Sequence, residues 1–298
     1  MRFGQGSKFD IKFKNNDALM RLIYINAAVF IGTILVNLPF WLMNSEMSPK
    51  TWVKTWFAVP SNLGDLIIKP WTIITYMFLH IDFWHVLINM LWLYFLGRLF
   101  VQFLGSKKLV SVYIAGGIAG ALLYIISFNI FPVFSTVAPI ALALGASASA
   151  MAIVVAIATY TPDFIIRLFI FGNVKLKYIA IVVFVLDLVG ISNSNSGGHL
   201  AHIGGAIFGY LFAMQWKKGK DITAWVDKSI VFIQALAKPS QKSRMKVKYK
   251  RTKSDFEYQD KKKEEQEVID HILDKISKSG YDSLSKTEKE ILFRASNK

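Results

Sequence analysis

Long apolar runs alternate with short polar or charged connections along most of the chain. Residues 22–43 are apolar except for Asn26 and Asn37 as strongly polar members, with Pro39 near the end of the run. At the rise of an α-helix, a run of that length crosses a bilayer. Further runs cover residues 85–104, 110–131, 141–160, 178–192 and 199–216. The last two are short, so they are expected to tilt or dip. In hydrocarbon every backbone polar group must be satisfied within its own segment, which makes each run a helix. The pattern therefore predicts an all-α membrane protein with a bundle of six transmembrane helices.

Beyond residue 216 the pattern changes. Residues 221–237 are amphipathic, with Ile222, Trp225, Val226, Ile230 and Phe232 as the apolar set. Residues 263–279 carry Val268, Ile269, Ile272, Leu273 and Ile276 on one stripe, with Gly280 past the end. Ser285-x-x-Glu288 is a capping box for a last helix to about Ala295. Four parts follow: a basic N-terminus (1–20), the six-span domain (21–216), an amphipathic helix with a polybasic linker (217–260), and a small helical extension on the cytosolic side (261–298).

Composition agrees with a membrane protein. Of 298 residues, 53% are hydrophobic, more than a soluble domain usually carries. The net charge of +15 gathers at the ends and in alternate loops. Lys107 and Lys108 follow the second run; Arg167, Lys175 and Lys177 outnumber Asp163 after the fourth; Lys217, Lys218 and Lys220 follow the sixth. The loops at 131–140 and 193–198 carry no charge. By the positive-inside rule both termini are expected in the cytoplasm. Basic flanks on apolar spans account for the charge without nucleic acid as a partner. The eight basic residues of 238–253, with no acid among them, suit anionic lipid. Arg2, Lys8, Lys12 and Lys14 precede no long apolar core within the first twenty residues, so no cleavable signal peptide is expected. Cysteine is absent, which removes disulfides, thiol nucleophiles and thiolate metal sites.

Polar groups at membrane depth are costly and usually mark a site. Ser147 stands in Gly145-Ala146-Ser147-Ala148, His202 in Ala201-His202-Ile203-Gly204-Gly205, and His85 and Asn89 in His80-x4-His85-x3-Asn89. With the predicted orientation, all three runs start near the outer face, so these groups share one depth. A hydroxyl, an imidazole and amide or imidazole donors are what acyl transfer needs. Ala201, Gly205 and Gly209 recur every four residues, as do Gly116 and Gly120. Small residues at that spacing let helix backbones approach closely, which would bring Ser147 to His202. Ser149 is a rival hydroxyl. It lies roughly 200° around the helix from Ser147, and spacing alone does not choose between them.

These motifs together resemble the rhomboid intramembrane serine proteases, over about residues 20–216. Pro70-Trp71-Thr72 and the segment from Thr75 to His80 resemble the end of that family's first loop. The resemblance implies a six-helix bundle, bacterial type and inner-membrane location, with a Ser–His dyad and no third acid. Ser147 would be the nucleophile, not Ser149, and His202 the base. Asn89, His85 and the Ser147 amide would form the oxyanion hole. No cofactor is implied. Single-span membrane proteins with small residues at the cleaved bond would be the substrates. Four positions differ from the family's usual pattern. Ala148 replaces a glycine, Met151 an aromatic that packs on the histidine, and Thr72 an arginine; Val101 and Gln102 stand where a glutamate is common. The C-terminal extension resembles one found on some bacterial rhomboid-like proteins.

The remaining polar positions are expected to play lesser parts. His199, one turn from His202, would line the water cavity or bond loop backbone, and His80 would tie down the first loop. Asp187, an ionisable residue in the fifth run, is a functional candidate by default; near the outer end of that run, it would simply hydrate or bond a neighbour. No metal is expected: His-Glu-x-x-His is absent, and His199-x2-His202 has no flanking carboxylate. Trp52, Trp56 and Phe57 in the loop at 44–69 suit the interfacial layer, as does Trp71. The short fifth run is the expected gate for a substrate helix. A different class fits the same residues less fully: a non-catalytic rhomboid-like binder of transmembrane helices.

Overall fold

The structure is a computed structural model describing residues 17–45, 48–168, 172–192, 195–237 and 255–296. Helix α1 (Asp17–Leu42) leads into the first loop. That loop holds α2 (Pro49–Phe57), strand β1 (Val59–Pro60), α3 (Leu63–Ile68) and α4 (Thr72–Thr75). Next come α5 (Phe83–Leu104), α6 (Ser106–Ile130), β2 (Leu142–Ala143) and α7 (Ser147–Tyr160). The strands β3 (Ile165–Leu168) and β4 (Gly172–Lys175) precede α8 (Leu176–Gly190), α9 (Ser196–Lys217) and α10 (Ala224–Ala237). Met1–Lys238 and Pro239–Lys298 are separate compact units. The basic residues of 1–16 and the polybasic run of 238–253 lie outside the described residues.

Three helices, Ala18–Leu42, Phe83–Leu104 and Ser106–Ile130, are long and apolar enough to cross a membrane by length and composition. Ser147–Tyr160 is a shorter apolar helix. The fold is mostly helical, not all-α as expected. β1 pairs antiparallel with β2, Val59 opposite Ala143 and Pro60 opposite Leu142. β3 pairs with β4. The two-residue β1–β2 ladder has no room for the alternation that announces a strand, and the β3–β4 ladder is only four residues long. The β1–β2 pairing also corrects the start of the fourth run, expected at 141. Residues 141–143 are drawn out to meet the first loop, where the Ser61 amide donates to the Ala141 carbonyl at 3.1 Å, and residues 144–146 turn into the helix. The helix begins only at Ser147.

The centre of the bundle is a seam of α6, α7 and α9 in which glycines face alanines. A Cβ added at Gly205 would fall 2.1 Å from the Ala148 carbonyl oxygen, and one at Gly209 would fall 2.2 Å from that of Ala152. On the other side of α7, Cβ atoms at Gly120 and Gly116 would meet the methyls of Ala148 and Ala152 at 2.6 and 2.2 Å. Two alanines one turn apart are thus clasped between two pairs of glycines one turn apart. In lipid, where hydrophobic burial does not drive helices together, such contact carries the association. Its register is fixed because Ala148 and Ala201, both buried, directly follow Ser147 and precede His202.

Polar bonds fasten the periphery. The Asn26 amide donates to the Tyr113 hydroxyl at 3.1 Å, and that hydroxyl donates to the Met77 carbonyl at 2.8 Å. In the first loop Trp56 and Trp71 stack with ring planes 2° apart, and Trp71 Nε1 donates to the Trp56 carbonyl. Lys108 at the start of α6 bonds Asp221 and Asp227, and Ser111 adds a bond to Asp227. Partial burial raises the Asp227 carboxyl, but the Lys108 and Ser111 bonds outweigh it and leave it below the usual carboxylate range. This cluster ties α10 to the bundle while Trp225, Val231, Phe232 and Ile233 stay exposed.

The C-terminal unit contains α11 (Asp255–Ser279) and α12 (Lys286–Ser296). α11 starts two turns before the expected 263, because its first part is charged on all sides and shows no apolar stripe. The expected capping box is formed: the Ser285 amide donates to Glu288 Oε2 at 2.7 Å and the Glu288 amide to Ser285 Oγ at 3.3 Å. Ile272 and Leu284 are its buried apolar residues among those described.

Candidate functional site

The first turn of α7 is prepared by Gly145, whose φ of 118° lies in a region that side chains avoid. The absent side chain has a second use. A Cβ there would fall 2.8 Å from His85 Nε2 and 3.7 Å from Ser147 Oγ. Only glycine lets the His85 ring approach the serine turn this closely. His85 itself sits in the first turn of α5, which Asp82 caps by accepting from the His85 amide at 2.9 Å. One turn later Asn89 is buried, and its Nδ2 meets His80 Nε2 at 3.0 Å. The Ala146 amide also reaches His80 Nε2, at 3.3 Å. Since Nε2 accepts from both, the His80 proton belongs on Nδ1. His80 does more than tie the first loop: it fixes both Asn89 and the backbone beside Ser147. An amide nitrogen carries two N–H groups, so Asn89 keeps one for a ligand.

Across the site α9 brings in two imidazoles. His199 Nδ1 and His202 Nδ1 lie 2.9 and 2.8 Å from the same atom, Asp187 Oδ1 on α8. This corrects one expectation: an acid does stand behind His202. His199 bonds the same acid and not loop backbone, while lining the cavity as expected. Spacing could not show it, because the carboxylate comes from the preceding helix across a short connection. An ionisable residue in an apolar run by default marks a function, which made Asp187 a candidate without naming its partner. Asp187 bonds neighbours, one of the two parts expected of it, and its side chain is only 7% exposed.

Ser147, His202, His85, Asn89, Asp187 and His199 all line one cavity of about 1070 Å³. Gly145, Ala148 and Met151 line it too. No direct hydrogen bond joins Ser147 to His202 among the described residues; in ligand-free sites such bonds commonly tighten only when substrate arrives. Ser149 is fully buried, with its Oγ 3.9 Å from Met77 Sδ, and takes no part in the cavity.

The rhomboid domain family matches residues 68–218, which include every one of these groups. The chain belongs to the rhomboid family. It is an integral membrane protein. A relative, the RHOMBOID-like protein 12, mitochondrial, of Arabidopsis thaliana, is 32% identical over 112 residues. That stretch covers 38% of this chain and 30% of the relative's length. Residues 253–298 match a family of unknown function, DUF6576.

As a rhomboid, the chain departs from the usual pattern in ways the structure accounts for. Ala148 fits where a glycine is common because Gly120 leaves room for its methyl, while Gly205 leaves room for its carbonyl. Thr72, in place of arginine, is buried and closes its own turn by donating to the Lys69 carbonyl at 2.6 Å. Met151, in place of the aromatic, offers His202 no flat face to pack on. Here Asp187 supplies a directional bond to the same ring.

Proposed function

We propose that this rhomboid is an intramembrane serine endopeptidase that cuts transmembrane segments of other membrane proteins. The observation that carries the reading is the convergence of Ser147, His202, Asp187, His85 and Asn89 on one cavity. Ser147 Oγ attacks the scissile carbonyl, and His202 takes its proton through Nε2 and later returns it to the leaving amine. An ionised carboxylate accepts only, so Asp187 Oδ1 sets the proton of His202 on Nδ1 and leaves Nε2 free as the base. The oxyanion falls to the free N–H of Asn89, to His85 and to the Ser147 amide. Six spans with both termini in the cytoplasm would place this cavity toward the outer face. α8, with its apolar outward side, would admit the substrate helix. Small residues at the cleaved bond suit a site walled by the close α7–α9 contact.

The test is cleavage of a single-span reporter by purified full-length protein and by Ser147→Ala, together with labelling by a serine-directed phosphonate. Ser147→Ala should lose both cleavage and label while its thermal unfolding stays unchanged. His202→Ala should be as inactive, and the double variant no worse, because the pair acts as one unit. Label on Ser149, or unaltered cleavage by Ser147→Ala, would remove Ser147 as the nucleophile; a parent protein that neither cleaves nor takes the label would leave the fold as a binder of membrane helices.

A further inference from the structure

The pair of imidazoles on one carboxylate oxygen exceeds what base catalysis requires. His202 needs a single acceptor behind it, and His199 is not needed at all. His199 and His202 are three residues apart and share one face of α9. With Asp187 they present three donor atoms all within 4.8 Å of one another, on two helices. Asp187 is buried, and its second oxygen, Oδ2, has no hydrogen-bond partner among the described residues. A buried, ionised oxygen left unpaired is costly, and the cost falls when a cation stands beside it. The two histidine side chains are 24% and 21% exposed toward the cavity, so an ion has a path in and a position open to water. Gly190 sets the His199 ring. A Cβ there would fall 2.5 Å from His199 Nε2, so that nitrogen is turned to the α8 backbone and Nδ1 to the carboxylate.

The geometry points to a reversible divalent-cation site formed by Asp187, His199 Nδ1 and His202 Nδ1, whose occupancy by zinc switches the protease off. Two nitrogens, one oxygen and an open fourth position make a zinc-type set. Tetrahedral zinc with bonds of about 2.0–2.1 Å holds its donors about 3.3 Å apart. The present Nδ1 to Oδ1 distances of 2.8 and 2.9 Å need only a small spreading of α8 from α9. The consequence for chemistry rests on the proteolytic reading above. When the ion takes Nδ1 of His202, the ring's one proton moves to Nε2, and no proton is gained or lost by the neutral imidazole. Nε2 then donates toward Ser147 instead of accepting from it, and the base is gone without His202 having to leave its place. The same ion that holds His202 in position therefore makes it useless as a base.

Binding and activity are tested separately on untagged full-length protein in detergent. Cobalt is titrated into Ser147→Ala at neutral pH, following the visible absorption of a four-coordinate ion, and zinc is then used to displace it. One ion per chain is expected. Asp187→Asn and His199→Gln should each weaken it by at least about tenfold, and His271→Gln should leave it unchanged. Wild-type cleavage should fall as zinc is added and return with chelator, and the ratio of rates with and without zinc should approach one in His199→Gln, whatever its own rate. If Asp187→Asn does not fold, protection of His199 and His202 from diethyl pyrocarbonate by zinc in the parent decides the matter. A serine protease with no cobalt absorption, or with affinity equal in Asp187→Asn, overturns the cation site and leaves proteolysis standing. Cation binding without any serine reactivity overturns proteolysis and leaves the site. Activity that chelators remove and zinc restores overturns the inhibitory assignment.

Discussion

Helices α7 and α8 carry parts of one site but are held in opposite ways. On α7 nearly every residue from Ala148 to Ala158 is buried, and Ala148 and Ala152 touch backbone or glycine on two sides. On α8 only Leu176, Ala180, Asp187 and Gly190 are buried, while Ile181, Val182, Leu186 and Val189 face outward. Apolar side chains facing lipid gain nothing by turning inward, so α8 leans on specific contacts. Its strongest polar contact with α9 is Asp187 on the two histidines. The proposed nucleophile and base are therefore placed by a seam that cannot give, and the carboxylate by a helix that can.

Loading the seam should produce the largest effect. Gly205→Ala adds a single methyl, which would fall 2.1 Å from a backbone oxygen that has nowhere to go. We expect a stability loss at or beyond the upper end of about 1–3 kcal/mol, read as a lower unfolding midpoint in detergent, and loss of cleavage with it. Gly32→Ala on α1 is the matched control, because nothing lies within 4 Å of its added Cβ. It should stay within about 1 kcal/mol of wild type. Equal midpoints for the two variants would mean that the seam is looser than its contacts indicate.

The second prediction addresses the looser helix. Asp187→Asn keeps the shape but can no longer dictate which nitrogen of His202 bears the proton. By the behaviour of acid–histidine–serine sites, kcat should fall by up to about 10⁴-fold, with KM little changed. Asp187→Glu should recover part of that rate. If Asp187→Asn raises KM and leaves kcat alone, Asp187 serves to hold α8 shut and does not position His202.

Much of this was legible in the chain and some was not. The motifs around Ser147, His85, Asn89 and His202 were readable because each lies within a few residues on one helix. The small-residue spacing foretold the α7–α9 contact, since a repeat of four places residues on one face. Asp187 was readable as a functional candidate, but its place behind His202 was not, because it arrives from another helix and the histidine pair was judged against neighbours in sequence only. The role of His80 was underestimated for the same reason: its partners are Asn89 and the Ala146 amide, from α5 and from the turn before α7. The start of α7 was placed early because residues 141–146 are as apolar as a helix, and only the pairing of Leu142 and Ala143 with the first loop reveals a strand and turn there.

A smaller effect is expected at the oxyanion side, where both walls are rigid. Asn89 is buried and held by His80. Asn89→Ala should lower kcat by about 10²–10³-fold, the cost of one donor. An unchanged kcat would assign Asn89 to holding His80, leaving the oxyanion to His85 and the Ser147 amide.

The smallest effect belongs to the C-terminal unit, where the capping contact is partly open to water. Lys275 Nζ donates to Glu288 at 2.9 and 3.1 Å, and the Ser285 amide adds a bond at 2.7 Å. The Lys275 bond, then those from Ser285, hold the Glu288 carboxyl down at about 2, against an ordinary value of 4.5. A carboxylate depressed in the folded state stabilises that state fully above its unfolded value, and the contribution fades as pH falls toward the folded value. The start of α12 should thus hold steady from neutral pH to about 4.5 and fray between there and about 2. Hydrogen exchange at the Glu288 and Lys289 amides of the full-length protein reads this directly. Solvent screening keeps the change small. Glu288→Gln should exchange faster above that window and show no added fraying through it. A wild-type profile that stays flat down to pH 2 would mean the Lys275 contact contributes nothing to the cap, and that the helix stands on Ile272 and Leu284 alone.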